Sequence, residues 1–382
     1  MTVNRRFAIS LAAAFALVLW VGSPTGLARA PQGGVHLTPH GYRVPVYGMK
    51  RVQLEDGSYA LDCGRLTNPQ IEAFRFGRSV SRAMARLSPH ASVQAVGDPE
   101  KASFKIIYTD APGRGFNDSR EGAARKRALE ASIAAWSKVL QGTIPIVIQA
   151  RMEAPEDQDG DTQLLASAGP VDLVEIDDIA VTTALASQIL DLDVRNELDN
   201  EADIEIVFSP DINWDYAVNG AAARDKVSFV YTTIHEIAHG LGFIDSFVSD
   251  TGKLLNPFPF SYDVFLNRGS SRRNRLTARL ADDVVGDLIS GDLFFGGPKA
   301  VAASKKSIRP LPMIKLYAPD PYQPGSSTAH VDQDTYADFK VGVMTPRDFG
   351  SGTDKIDILT LAIMEDMGYK LVANAVTAGV KQ

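Results

Sequence analysis

The apolar positions of this chain change period along its length, and each change marks an element. Residues 7–21 are almost continuously apolar, follow Arg5 and Arg6, and lead to Ala28-Arg29-Ala30, a small-x-small cleavage signal. That run is shorter than the roughly 20 residues needed to cross a bilayer, so it predicts a signal peptide over 1–30 and no transmembrane anchor after cleavage. Residues 31–100 are rich in Gly and Pro and carry no long periodic run, which predicts a pro-segment or small accessory region. From residue 102 the signals sharpen. "FKIIYTD" predicts a strand and "PGRGFND" a loop. A helix is expected from a cap at Asp118 or Ser119 to Leu140, with Leu129, Ile133, Trp136 and Leu140 on its apolar face and Gly142 just past its end.

The same reading gives a buried strand over 144–152 ("IPIVIQARM"), a short helix over 182–190 ("TTALASQIL") and a strand over 203–210 ("DIEIVFSP"). A last helix is expected from Thr353 or Asp354 to Met367, stopped by Gly368. Strands and helices interleave without repeats, so the expected fold class is α+β.

Charge and cysteine content narrow the classes of function. The formal charge is −7, and removing Arg5, Arg6 and Arg29 with the signal peptide takes it to −10. That balance argues against nucleic acid as a partner. One cysteine, Cys63, excludes an intramolecular disulfide framework in a chain bound for an oxidising compartment, periplasmic or extracellular. Stability must come from packing and from metal.

Metal chemistry is legible in "VSFVYTTIHEIAHGLGFID", residues 227–245. A spacing of four puts His235 and His239 on one face of a helix, one turn apart, where both can meet one ion. Glu236, beside the first histidine, reaches a water in the ion's open position. Gly240 and Gly242 stop the helix, and Gly242 permits the left-handed backbone needed for a sharp turn. A zinc site needs a third protein ligand, and the carboxylate of Asp245 is chemically able to be one.

His235-Glu236-x-x-His239-x-x-Gly242 resembles the zinc signature of the metzincin metallopeptidases, whose usual third ligand falls at the position of Asp245. Residues 325–371 are similar to the leishmanolysin-like branch of that clan, in which a long insertion precedes a third histidine. Ser327 and His330, then Met344 with Pro346, then "LTLAIMEDMGY" (359–369) match its order. Two extra residues separate Ser327 from His330, and the disulfide-rich character of the best-known members is missing. The resemblance implies a metzincin-like catalytic domain over 101–375, with a mixed sheet, long helices and an insertion at about 246–325. It implies His330 as third ligand with Asp245 as runner-up, and Met344 in a methionine turn giving the zinc an apolar floor. It implies a secreted zinc endopeptidase acting on protein or peptide substrates, with Glu236 as general base toward a zinc-held water. A metal-stabilised binding protein and a zinc hydrolase of non-peptide substrates are the alternatives.

Other features stay open at this level. Asp332 or Asp334 is a candidate partner for the second nitrogen of His330. Strand 203–210 is either an edge for an extended substrate or an interior strand. Cys63 is either a latency ligand to zinc or an inert buried thiol. Asp157, Asp159 and Asp161 alternate as in a Ca²⁺ loop but lack the glycine and glutamate of an EF-hand, so a solvated acidic loop competes. Residues 268–275 ("RGSSRRNR") predict an exposed basic loop.

Overall fold

A computed structural model describes residues 35–37, 42–53, 59–65, 101–154, 162–218, 222–223, 225–307, 309–336, 342–348, 355–373 and 375. The signal peptide, the acidic loop with Asp157, Asp159 and Asp161, and the expected start of the last helix at Thr353 or Asp354 lie outside the described residues. Residues Pro31–Gln382 form one compact unit.

Its frame is a mixed seven-stranded sheet. We number the strands β1 (Tyr47–Gln53), β2 (Tyr59–Arg65), β3 (Phe104–Tyr108), β4 (Ile146–Met152), β5 (Thr162–Pro170), β6 (Ile204–Phe208) and β7 (Arg347–Asp348). They lie in the order β7-β2-β1-β5-β6-β4-β3. The β3, β4 and β6 pairings are parallel, while β5, β1, β2 and β7 continue the sheet antiparallel. This α+β architecture matches the coarse expectation. Two strands of the segment 31–100 are built into the sheet.

Strand β4 is buried at every position, because parallel neighbours on both sides and helices on its face leave it no wet side. Strand β6 is likewise interior, paired with β4 on one side and β5 on the other. It therefore offers no free edge to a peptide, which excludes the edge reading of 203–210.

Helix α1 (Gly122–Ser137) starts later and ends earlier than its periodicity predicts. The Asp118 carboxylate accepts from the backbone N–H of Arg120 and Glu121 at 2.7 and 2.8 Å, forming a turn ahead of the helix. Leu140 leaves the helix to pair with Leu371 in a two-stranded ladder. The apolar face is as expected. Leu129 and Trp136 are fully buried, and the indole N–H of Trp136 donates to Ile234 O at 3.1 Å, locking α1 onto the helix that carries the histidines.

That helix, α2 (Phe229–Leu241), is capped by Ser228, whose hydroxyl accepts from Tyr231 N. Gly240 does not stop it. A Cβ there would sit 2.4 Å from Ile204 Cγ2, so glycine is required by the close approach of α2 to β6. Gly242 ends the helix in the left-handed region, φ 115°.

The insertion carries a three-stranded sheet of Leu266–Arg268, Leu293–Phe295 and Ile314–Lys315. Residues 270–275 are exposed, as expected, but Arg268 is half-buried and paired with Asp287 and Asp292. Helix α3 (Ile358–Met367) begins only after Asp357, whose side chain accepts from Leu359 N and Thr360 N. Gly368 closes it, as predicted.

Candidate metal centre

Four side chains converge from three parts of the chain: Cys63 on β2, His235 and His239 on α2, and His330 in the segment after the insertion. Their potential ligand atoms all lie within 4.8 Å of one another, and all four residues are buried. His239 Nε2 is 3.1 Å from His235 Nε2, His330 Nε2 is 3.3 Å from His235 Nε2, and Cys63 Sγ is 3.5 Å from His239 Nε2.

The opposite face of each ring explains this convergence. His235 Nδ1 lies 2.6 Å from Val343 O, His239 Nδ1 2.8 Å from Phe243 O, and His330 Nδ1 3.0 Å from Ser326 O. A carbonyl only accepts, so each Nδ1 must carry the hydrogen, and each Nε2 presents a bare lone pair. Three lone pairs then face one another with no hydrogen between them, an arrangement that calls for a cation. Burial favours the neutral rings this requires. It pushes His235 down to about 4 and holds His239 and His330 well below the ordinary histidine value.

The donor set fits zinc. Ligands at about 2.0–2.1 Å for nitrogen and about 2.3 Å for sulfur around a tetrahedral ion stand about 3.3–3.6 Å apart. The 3.1, 3.3 and 3.5 Å separations match that spacing closely.

Each backbone prop has its own cause. The left-handed turn at Gly242 lets Gly242 N and Phe243 N bond back to His239 O and Ala238 O, and so brings Phe243 O under the His239 ring. Val343 is held from behind, its N–H donating to Asp357 Oδ2 at 2.9 Å. One carboxylate thus caps α3 and steadies the carbonyl that orients His235. Met344, the next residue, is fully buried in the main core, and its carbonyl accepts from Val331 N. Asp332 does not serve His330. Its carboxylate accepts from Thr335 N and pairs with Lys315, and the Ser326 carbonyl takes the role that sequence reasoning assigned to Asp332 or Asp334.

Asp245 stands outside the ligand group. Its Oδ2 accepts from the Tyr47 hydroxyl at 2.9 Å and its Oδ1 from Phe247 N at 3.1 Å. Tyr47 in turn stacks on His239, with ring centroids 4.4 Å apart and planes 11° from parallel.

Glu236, directly after His235 on α2, is fully buried. Burial raises its carboxyl well above the usual range, and the Met49 and Ala168 amides only partly oppose this. Oε1 accepts from Met49 N at 2.9 Å, while Oε2 has no hydrogen-bond partner among the described residues. Cys63 is fixed by its backbone, N–H to Pro346 O at 2.6 Å and carbonyl to the Ser326 hydroxyl. Burial, Glu236 and Asp62 raise its thiol well above the ordinary value, so in this pocket a thiolate needs a cation beside it.

Sequence reasoning missed Tyr47, Met49 and Asp357. The first two enter the site only through strand pairing across more than a hundred residues. Asp357 had a local signal, an acid just ahead of an apolar run that ends in glycine.

Residues 114–270 match the family described as SPBPB7E8-like. The match contains His235, Glu236, His239 and Asp245 and stops short of His330 and Met344. No curated protein and no solved structure matched the chain.

Proposed function

We propose that the chain is a secreted zinc endopeptidase with a metzincin-like, leishmanolysin-type catalytic domain, held latent by its residues 47–65. The observation that carries the reading is the convergence of three hydrogen-free Nε2 atoms, two of them on a helix where the residue after His235 is a buried glutamate with an unpartnered oxygen. His235, His239 and His330 would hold the metal, and Cys63 the fourth corner. Bound there, zinc supplies Lewis acidity to the scissile carbonyl and to the attacking water. Glu236 takes a proton from that water at the free Oε2 and returns it to the leaving amine, a role suited to a carboxyl whose proton affinity is raised by burial. Tyr47 on the open face of His239 excludes water from the closed state. The substrate is protein or peptide, and the compartment is periplasmic or extracellular. Among the described residues no helix is long and apolar enough to cross a membrane.

A second reading, a binding protein with a structural zinc, is favoured by one observation. Cys63 completes a closed four-ligand set, the usual mark of a structural site. Zinc content and casein cleavage, measured on the full chain, on Cys63→Ala and on Cys63→Ala with Glu236→Ala, separate the two. A peptidase retains zinc in all three and cleaves once Cys63 is removed, with cleavage lost when Glu236 goes too. Zinc in all three with cleavage in none assigns the structural role.

A further inference from the structure

Of the two amides that act on the proposed general base, those of Met49 and of Ala168 on β5, that of Met49 makes a well-formed hydrogen bond to it. Met49 N–H donates to Glu236 Oε1 at 2.9 Å. In peptide hydrolysis the acid that protonates the leaving amine must reach the nitrogen of the bond that breaks. Met49 N occupies that place, which puts the Gly48–Met49 peptide where a scissile bond belongs.

The surroundings agree. Strand β1 runs antiparallel along β5, with Tyr47 opposite Ala168, Gly48 opposite Ser167 and Met49 opposite Ala166, and the register slips immediately after Met49. Extended peptides are aligned by such edges through main-chain bonds, with alternate side chains entering pockets. The side chain that enters here is Met49. It is buried, with Sδ 3.5 Å from the Thr232 hydroxyl, one turn before Glu236 on α2. Cys63 lies directly across the β1–β2 ladder from Met49, with its thiol among the histidines.

We propose that residues 47–50 are a built-in stand-in for substrate, aligned on β5 with Gly48–Met49 at the scissile position, and that the site prefers peptides with an unbranched apolar residue directly after the cut. The inference rests on the peptidase reading. Cys63 keeps the strand intact, because its sulfur fills the corner that water and the carbonyl need. In the full chain carrying Cys63→Ala, water oxygen bonds to the Gly48 carbonyl carbon and the C–N bond breaks. Both of the water's hydrogens end on Met49 N, carried there through Glu236, leaving a carboxylate on Gly48 and an ammonium on Met49.

Mass spectrometry of zinc-loaded full-length Cys63→Ala is expected to find a new amino terminus at Met49, suppressed at least tenfold by adding Met49→Asp. Casein cleavage with Gly48–Met49 intact overturns this inference and leaves the peptidase reading standing. No cleavage of any chain, with zinc bound, overturns both. A readout independent of turnover uses the wild-type chain stripped of metal. A synthetic peptide of residues 46–51 should displace β1 and speed labelling of Cys63 by a thiol reagent severalfold, while the same peptide with aspartate in place of methionine should not. Equal labelling rates with both peptides and with none overturn the inference.

Discussion

The two halves of the seven-stranded sheet are built differently. Strands β3, β4 and β6 are parallel, are joined through helices close in sequence, and bury their side chains against α1 and α2. Strands β1, β2 and β7 reach β5 from opposite ends of the chain, and the Arg347–Asp62 pair that helps join β7 to β2 spans 285 positions. The first half packs the helix that carries His235, Glu236 and His239, through Trp136 of α1 and Ile204 of β6. The second half brings Cys63, Tyr47 and Met49 to them. Fold strength thus resides in the local half, and closure of the site in the distant one.

The largest expected effect tests the distant half. In the Cys63→Ala chain, where His235, His239 and His330 are the donors left, adding His330→Ala should drop zinc from about one ion per chain to near zero by atomic emission. It should also remove metal-linked stabilisation of about 4 kcal/mol where free zinc exceeds its dissociation constant a thousandfold. Asp245→Ala should keep the metal, since the Asp245 carboxylate accepts from Tyr47 and Phe247 and stands outside the group of converging donors. Metal lost only from Asp245→Ala would sink the ligand assignment.

Next comes the local half. Trp136 is fully buried and tied to Ile234 O, so Trp136→Ala should cost about 3–5 kcal/mol in denaturant unfolding. The folded fraction should still bind zinc at full stoichiometry, and proportional loss of both would erase the division between the halves.

The smallest effect is in pH. Burial raises Asp203 to about 6 although it accepts from Val147 N and faces Arg195. A raised carboxyl binds its proton more tightly folded than unfolded. Its stabilisation is therefore complete below about pH 4 and lost as pH rises to about 6, up to about 3 kcal/mol for roughly two units. Thermal melts of wild type minus Asp203→Asn should fall across that window, and a flat difference would refute it.

What the sequence made legible follows the same division. The pair His235 and His239 is readable because helical spacing is a local property. His330 could be placed only by the order of motifs after the insertion, not by any period. The carbonyls of Val343, Phe243 and Ser326 that set the three rings carry no residue-type signal, since every residue has one. Asp332 and Asp334 are the partners the sequence suggests for His330 because side chains are visible in sequence and backbone direction is not. Strand 203–210 read equally well as edge or interior, because alternation reports burial and not the number of neighbours. The ends of α1 were displaced by competing partners, an aspartate turn before it and a strand partner for Leu140 after it.

The span from Cys63 to His330 also sets a timetable. Three of the four converging side chains are synthesised before the insertion, and the fourth only after it. Loop closures of that length are slow steps in folding and come after local helices and strands. A chain emerging amino terminus first therefore carries an incomplete cage through most of its synthesis. A group of side chains able to hold a metal ion is thus completed only when the carboxy-terminal segment arrives.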